Sequence, residues 1–369
     1  MTNLKDGRLI VPDTRTILGI QYLRGFAALF VVYYHIFSNR VAQSWSAGSF
    51  YGLFGVDVFF VISGFIMWRT TAMSTRTRPA DFLLRRFIRI YPTWWITLSA
   101  WIGIRLILPD SLHNADVDFW SVVDSYLLVP HYHAVFTHYV WPILVPGWTL
   151  EMEILFYLLF AGTLFISFMR ARLTAILLIL AGLSLIGMIV PQSSAVFENL
   201  TNPLLLEFAG GIFVASQAER LSRIPVWMLV SFLLIGLALV GFFLGPQTEM
   251  SRVRALCLGP SAMLIVAGMV GLEPRLRAKP SSWLLLLGDA SYSLYLTHII
   301  AISATAVLWE RLRLPMGTSP GAALFIPIAL VTTVGASIIF YRLIEKPILK
   351  VLIPRNGRRR LPVQVFQTP

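Results

Sequence analysis

Residues 17–37 read ILGIQYLRGFAALFVVYYHIF, a run whose only fixed charge is Arg24. A helix needs about 20 apolar residues to cross a hydrocarbon core, so this run is a membrane span. It lacks the small-residue cleavage site of a signal peptide and is expected to stay in the protein. Working outward, apolar windows between polar or Pro/Gly punctuation recur near 50–69, 87–108, 148–168, 173–190, 203–219, 225–244, 255–272, 284–308 and 320–342. The expected fold is therefore all-α, a polytopic membrane helix bundle of about ten transmembrane helices. It occupies residues 1–349, with one long outer loop at 109–147 and a basic cytoplasmic tail at 350–369. Composition agrees: the 369 residues are 57% hydrophobic and 13% charged, which excludes a large soluble catalytic domain. The mean hydropathy of +0.73 points the same way. Cys257 is the single cysteine, so neither an intrachain disulfide framework nor a thiolate zinc cluster is available.

The net charge of +12 is explained by where the basic residues fall. With the N-terminus inside, 23 of the 30 Lys and Arg lie in cytoplasmic segments, six lie outside, and Arg24 lies within a span. That bias sets both termini in the cytoplasm. Basic residues in short loops sit beside anionic lipid headgroups, so the partner of the positive charge is membrane lipid and not nucleic acid.

An ionisable residue inside a span costs at least a few kcal/mol and is a functional candidate for that reason. Arg24 and His35 are eleven residues apart, about three turns plus 20°. Both project from one helical face, about 16 Å apart along the axis. The spacing places them along one cavity at two depths. A neutral imidazole can take a proton from a hydroxyl, and a guanidinium below it can hold an anion or orient a carboxylate. The bland alternative is a satisfied Arg–carboxylate pair with an interfacial histidine. Glu151 and Glu153 point about 200° apart, so one faces the bundle and the other the headgroup region. Glu153 shares its stripe with Tyr157. Ser291, Tyr295 and His298 make a polar face on an otherwise leucine-rich helix, while Asp57, Glu207 and Asp289 complete the buried charges.

Arg86 and Arg89 are neighbours on one face at the inner end of the third window, followed by Tyr91. That pair suits a polyphosphate, and positive-inside anchoring is the competing reading. His131, His133 and His138 in the outer loop lack helical spacing and nearby carboxylates, so no metal site is expected. Hydrolase-elbow, zincin, P-loop and dinucleotide signatures do not occur in the sequence.

Six blocks in order resemble the acyltransferase-3 family of integral membrane O-acyltransferases. They are Gln21-Tyr22-Leu23-Arg24-Gly25 running on to His35, Gly55 to Phe65, Arg86-Phe87-Ile88-Arg89-Ile90-Tyr91-Pro92, Trp148 to Tyr157, Gly288 to His298, and Ile344-Glu345-Lys346-Pro347. The opening and short tail are most similar to bacterial exopolysaccharide acetyltransferases of the succinoglycan-modifying type. Glu151 departs from the family pattern and leaves open which carboxylate works. The resemblance implies a multi-pass protein of the bacterial inner membrane that moves an acyl group, acetyl by expectation, from acyl-CoA to a hydroxyl of an exported glycan or lipid-linked oligosaccharide. It implies that His35, Arg24 and Glu153 are catalytic and that Arg86, Arg89 and Tyr91 bind the donor. Asp57, Ser63, Tyr157, Tyr295 and His298 would support the acceptor side. His35 would act as general base in direct transfer, with an acyl-histidine relay as the rival. A proton-coupled transporter or flippase is the alternative from another class, since buried Arg, His and Glu also suit a carrier.

Overall fold

A computed structural model describes residues 4–5, 8–9, 17–72, 77–107, 118–245 and 253–352. Residues 109–117 of the expected outer loop and 353–369 of the expected basic tail lie outside the described residues. Among the described residues the regular structure is helical apart from a two-residue antiparallel ladder, Leu4–Lys5 with Arg8–Leu9, and an isolated bridge between Tyr132 and Val140. Each apolar window holds a helix. These are α1 (Leu18–Phe37), α2 (Phe54–Ala72), α3 (Pro79–Ile107), α4 (Trp148–Thr163), α5 (Met169–Ile189), α6 (Leu205–Ser216), α7 (Val226–Phe243), α8 (Arg254–Gly271), α9 (Ser291–Arg311) and α10 (Ser319–Phe340). Six helical stretches are long and apolar enough to cross a membrane by length and composition: Tyr51–Ala72, Met169–Ile189, Val226–Phe243, Arg254–Gly271, Ser291–Arg311 and Ser319–Leu352. Helices α4 and α6, with 16 and 12 residues, are shorter than a full span.

Three boundaries differ from the sequence expectation for identifiable reasons. Helix α3 starts at Pro79, eight residues before its apolar window. Arginine and leucine between them propagate a helix well, whereas hydropathy registers only the apolar part. The ninth window is broken at Ala290 into a short helix, Ser282–Asp289, and α9. Where a plain loop was expected, Arg40–Leu53 forms a 3-10 segment laid against α1.

Close packing depends on small residues, as expected where lipid supplies no hydrophobic drive between helices. At the crossing of α2 and α6, a Cβ on Gly64 would stand 2.0 Å from the Phe208 carbonyl oxygen. One on Gly211 would stand 1.9 Å from that of Val61. The two backbones therefore touch at two reciprocal points. Helix α1 packs against α2, the short helix Ser282–Asp289 and α9. Its first amides, Leu18 and Gly19, each donate to a carboxylate oxygen of Glu273 at 3.0 Å. A carboxylate at a helix N-terminus satisfies orphan donors and complements the helix dipole.

The segment after α3 turns back into the bundle. A helix at Phe119–Leu127 runs along α3, where Trp94 donates to the Ser125 carbonyl, Trp95 to that of Tyr126 and Tyr91 to that of Leu127, each at 2.9 Å. This helix buries Ser121 and Ser125 and turns Phe119 and Trp120 outward. Its N-cap is Asp118, which accepts from the amides of Trp120 and Ser121. The chain then re-enters through the 3-10 turn Val145–Gly147, so α4 begins among buried residues.

Candidate active site

A cavity of about 270 Å³ lies between α2, α3, α4, α9 and the inner part of α1. Its more exposed end lies where α2 ends and α3 begins, with Thr70, Thr77, Arg78, Asp81 and Arg85. Its depth is lined by Arg24, Ser63, Arg86, Arg89, Glu153, Tyr157, Ser291, Tyr292 and Tyr295. Arg24, Arg78, Arg85, Arg86 and Arg89 face two lining carboxylates, Asp81 and Glu153, so the cavity favours an anionic guest.

The helices hold these groups in a fixed relation. Arg24 donates to the Gln21 side-chain oxygen at 2.9 Å, and the Gln21 amide donates to Asp289 at 2.7 Å. Asp289 thus orients Arg24 through an intermediary. Glu153 accepts from Ser63 at 2.9 Å and from the Tyr157 hydroxyl. Ser63, from the second motif, thus joins Glu153 and Tyr157, from the Trp148–Tyr157 motif, in one cluster. Tyr295 shares a 2.8 Å hydrogen bond with Thr149 at the start of α4, and its hydroxyl donates to the Pro146 carbonyl at 3.1 Å. The re-entrant segment therefore fixes the inner wall.

The arginine pair divides. Arg89 is ion-paired with Glu345, which also accepts from Ser293, and its guanidinium lies 4.7 Å from the centre of the Tyr292 ring. Glu345 is 1% exposed, so most of the Arg89 charge is neutralised within the protein. Arg86 sits over Phe82 and Tyr157 at 5.6 and 5.8 Å and faces the cavity. Tyr91 is not among the lining residues, and its hydroxyl is committed to Leu127. Asp57 also lies elsewhere, bound through two oxygens by Arg254 at 3.0 and 2.7 Å. Glu151, one of whose orientations was expected near the headgroups, is 2% exposed. Both carboxylates at the start of α4 thus face protein.

Arg24 and His35 do share a face of α1, since both meet the chain around residues 289–298. They do not share the cavity wall. His35 lies beyond it, its ring 4.7 Å from that of His298. Between them stands a layer in which Tyr295 meets Phe59 at 5.8 Å and His298 at 5.9 Å. The cavity ends one side chain short of the imidazole pair.

In the outer segment, His133 Nδ1 accepts from the amides of Val135 and Phe136, both at 3.1 Å. Burial, with help from His131 and Arg105, holds its imidazole below the ordinary histidine range. Among the described residues no three His, Cys, Asp or Glu gather to hold a metal.

Residues 17–342 match the acyltransferase domain of the acyltransferase-3 family model. The chain belongs to that family. This acyltransferase-3 chain is 35% identical over 313 residues to the exopolysaccharide production protein ExoZ of Rhizobium meliloti, covering 84% of this chain and 92% of the relative. It is 27% identical to acyltransferase MdmB of Streptomyces mycarofaciens, covering 94% of each. Its similarity to O-acetyltransferase OatA of Staphylococcus aureus, also 27%, spans 91% of this chain and 58% of that protein. No solved structure matches it. Family membership and six apolar helices make this a membrane acyltransferase and favour acyl transfer over the carrier alternative. Sequence reasoning missed Glu345 as the partner of Arg89 and Gln21 as the link from Asp289 to Arg24. Glu345 stood inside a quoted motif, and Gln21 one turn before Arg24.

Proposed function

We propose that this protein is an O-acyltransferase of the bacterial inner membrane, with both termini cytoplasmic. It carries an acetyl group from acetyl-CoA to a hydroxyl of an exported or lipid-linked glycan. The observation that carries the reading is the arginine-lined cavity that runs from where α2 ends and α3 begins and stops one residue layer short of His35. A donor rich in phosphate suits the more exposed end, where Arg78 and Arg85 stand with Arg86 deeper in, and the thioester arm reaches past Arg24. Relatives named for exopolysaccharide production and O-acetyl transfer support a glycan acceptor.

In this reading the acceptor hydroxyl gives its proton to His35 as its oxygen attacks the thioester carbonyl carbon. The carbon–sulfur bond breaks, and the departing sulfur takes the proton back from His35, leaving an ester and a free thiol. Arg24, oriented by Gln21, holds the donor on its way to His35. Glu153, with Ser63 and Tyr157, holds the donor arm. Arg89 is a structural cation more than a donor ligand.

The test is transfer of label from radioactive acetyl-CoA to a glycan oligosaccharide by the purified, detergent-solubilised protein. His35→Ala abolishes transfer, and Arg86→Ala raises the donor KM with little change in kcat. Undiminished transfer by His35→Ala overturns the assignment of the base.

A further inference from the structure

We propose that His298 is a positioning residue that accepts a hydrogen bond from His35 and fixes which of its nitrogens meets the acceptor hydroxyl. The proposal rests on the reading of His35 as general base, and its support is geometric.

His298 lies on α9 with 0% of its surface exposed. Its Nδ1 is 2.7 Å from the main-chain carbonyl oxygen of Tyr295. A carbonyl can only accept, so Nδ1 carries the hydrogen, and in the neutral ring Nε2 keeps an open lone pair. That Nε2 is buried and has no hydrogen-bond partner. Burying an acceptor unpaired is unfavourable, and buried polar groups are nearly always satisfied. A leucine would fill the same space without that cost.

The ring in reach is His35, at 4.7 Å between centres and tilted by 45°. At that separation a turn of the His35 ring about its terminal torsion, which is broad for histidine, brings a ring N–H within bonding distance of Nε2. Two aromatic rings flank the pair: Tyr34 meets the His35 ring edge-on at 4.8 Å, and the Tyr295 ring lies 5.9 Å from His298. The Tyr295 hydroxyl is engaged with Thr149 and Pro146.

The consequence is a chain of three groups: the Tyr295 carbonyl, His298 and His35. The carbonyl sets the tautomer of His298, and His298 sets that of His35, with its lone pair turned to the acceptor. When His35 takes the hydroxyl proton it becomes an imidazolium whose second N–H is held by Nε2. The proton count of the pair returns to its start when sulfur is protonated. A neutral orienting partner suits this depth, since a carboxylate there would have to be desolvated as an ion.

The test compares His298→Leu, His298→Gln and His298→Asn in the labelled acetyl-CoA assay, with thermal unfolding as a check on folding. Glutamine places an amide oxygen near the Nε2 position, whereas asparagine reaches only the Nδ1 position. The expected result is a kcat loss on the order of 100-fold for the leucine and asparagine variants. The donor KM stays within about twofold, because the donor cavity is untouched. Glutamine recovers about tenfold of the loss. Removing His298 in a His35→Ala background costs nothing further, as expected for groups acting as a unit. Wild-type turnover by folded His298→Leu, or equal impairment of the glutamine and asparagine variants, overturns the proposal. If leucine prevents folding, the glutamine–asparagine comparison decides alone. His35→Ala run alongside separates the two readings: an active His35→Ala sinks the base assignment, whereas an inactive His35→Ala with an active His298→Leu sinks only this one.

Discussion

Replacing Arg89 tests whether this arginine serves the fold or the donor. Its partner Glu345 has a side chain only 1% exposed, and Arg89 itself is 19% exposed. Removing one member of a buried pair leaves the other charge uncompensated and costs about 3–5 kcal/mol. Ser293 still donates to Glu345, which places Arg89→Met at the lower end, about 3 kcal/mol. For a chain of this length that lowers the unfolding midpoint by on the order of 5 °C. Replacing both charges, Arg89→Met with Glu345→Leu, restores most of the loss, because an apolar pair of similar volume is often no worse than the ion pair. The assay is thermal unfolding of the detergent-solubilised protein followed by intrinsic tryptophan fluorescence, with donor KM measured on the same samples. An Arg89→Met protein that melts like the wild type but shows a raised donor KM refutes the structural assignment. It would return Arg89 to the phosphate-binding role that its spacing from Arg86 first suggested.

Gly64→Ala should destabilise by about 1–3 kcal/mol, since its methyl would press on the Phe208 carbonyl and force the α2–α6 crossing apart. Gly182→Ala, whose methyl meets nothing within 4 Å, should stabilise α5 slightly, and thermal unfolding of the two variants reads the contrast. The Asp118 carboxyl is held below its ordinary value of 3.8 by hydrogen bonds from the Ser121 hydroxyl and backbone amides. A lowered carboxylate value means that the cap is fully effective above that ordinary range and is lost as pH falls through the folded value. Amide exchange at Trp120 and Ser121 should therefore quicken, relative to the chain's intrinsic acid dependence, only in that acidic window. Asp118→Ala should abolish the extra change.

The ten apolar windows were readable because polar residues collect in the short segments between helices, while six helical stretches among the described residues reach the length and apolarity of a span. Arg24 and His35 were readable as one face because both lie on a single helix, where an eleven-residue spacing fixes their angle. Helical periodicity says nothing about partners on other elements. Glu345 reaches Arg89 across 256 residues and Arg254 reaches Asp57 across 197. Arg254, at the start of α8, is 5% exposed and serves as that buried counter-ion. The course of residues 118–147 was hidden for a related reason. Phe119 and Trp120 face out while Tyr126 bonds to Ser99 of α3, so the aromatic pattern does not say which side the protein covers. Hydrogen bonds from Trp94 and Trp95 to its main-chain carbonyls hold it along α3.

The carboxylate that caps α1 lies 255 residues downstream, and the side chain that anchors Gln21 lies 268 away. The ribosome therefore releases the helix bearing Arg24 and His35 long before either clasp has been made. During that interval the first helix has donors without acceptors and an arginine without its guide. A chain ending ahead of Glu273 lacks both of these anchors for the first helix. Both clasps are in place only once the chain beyond Asp289 has entered the bilayer.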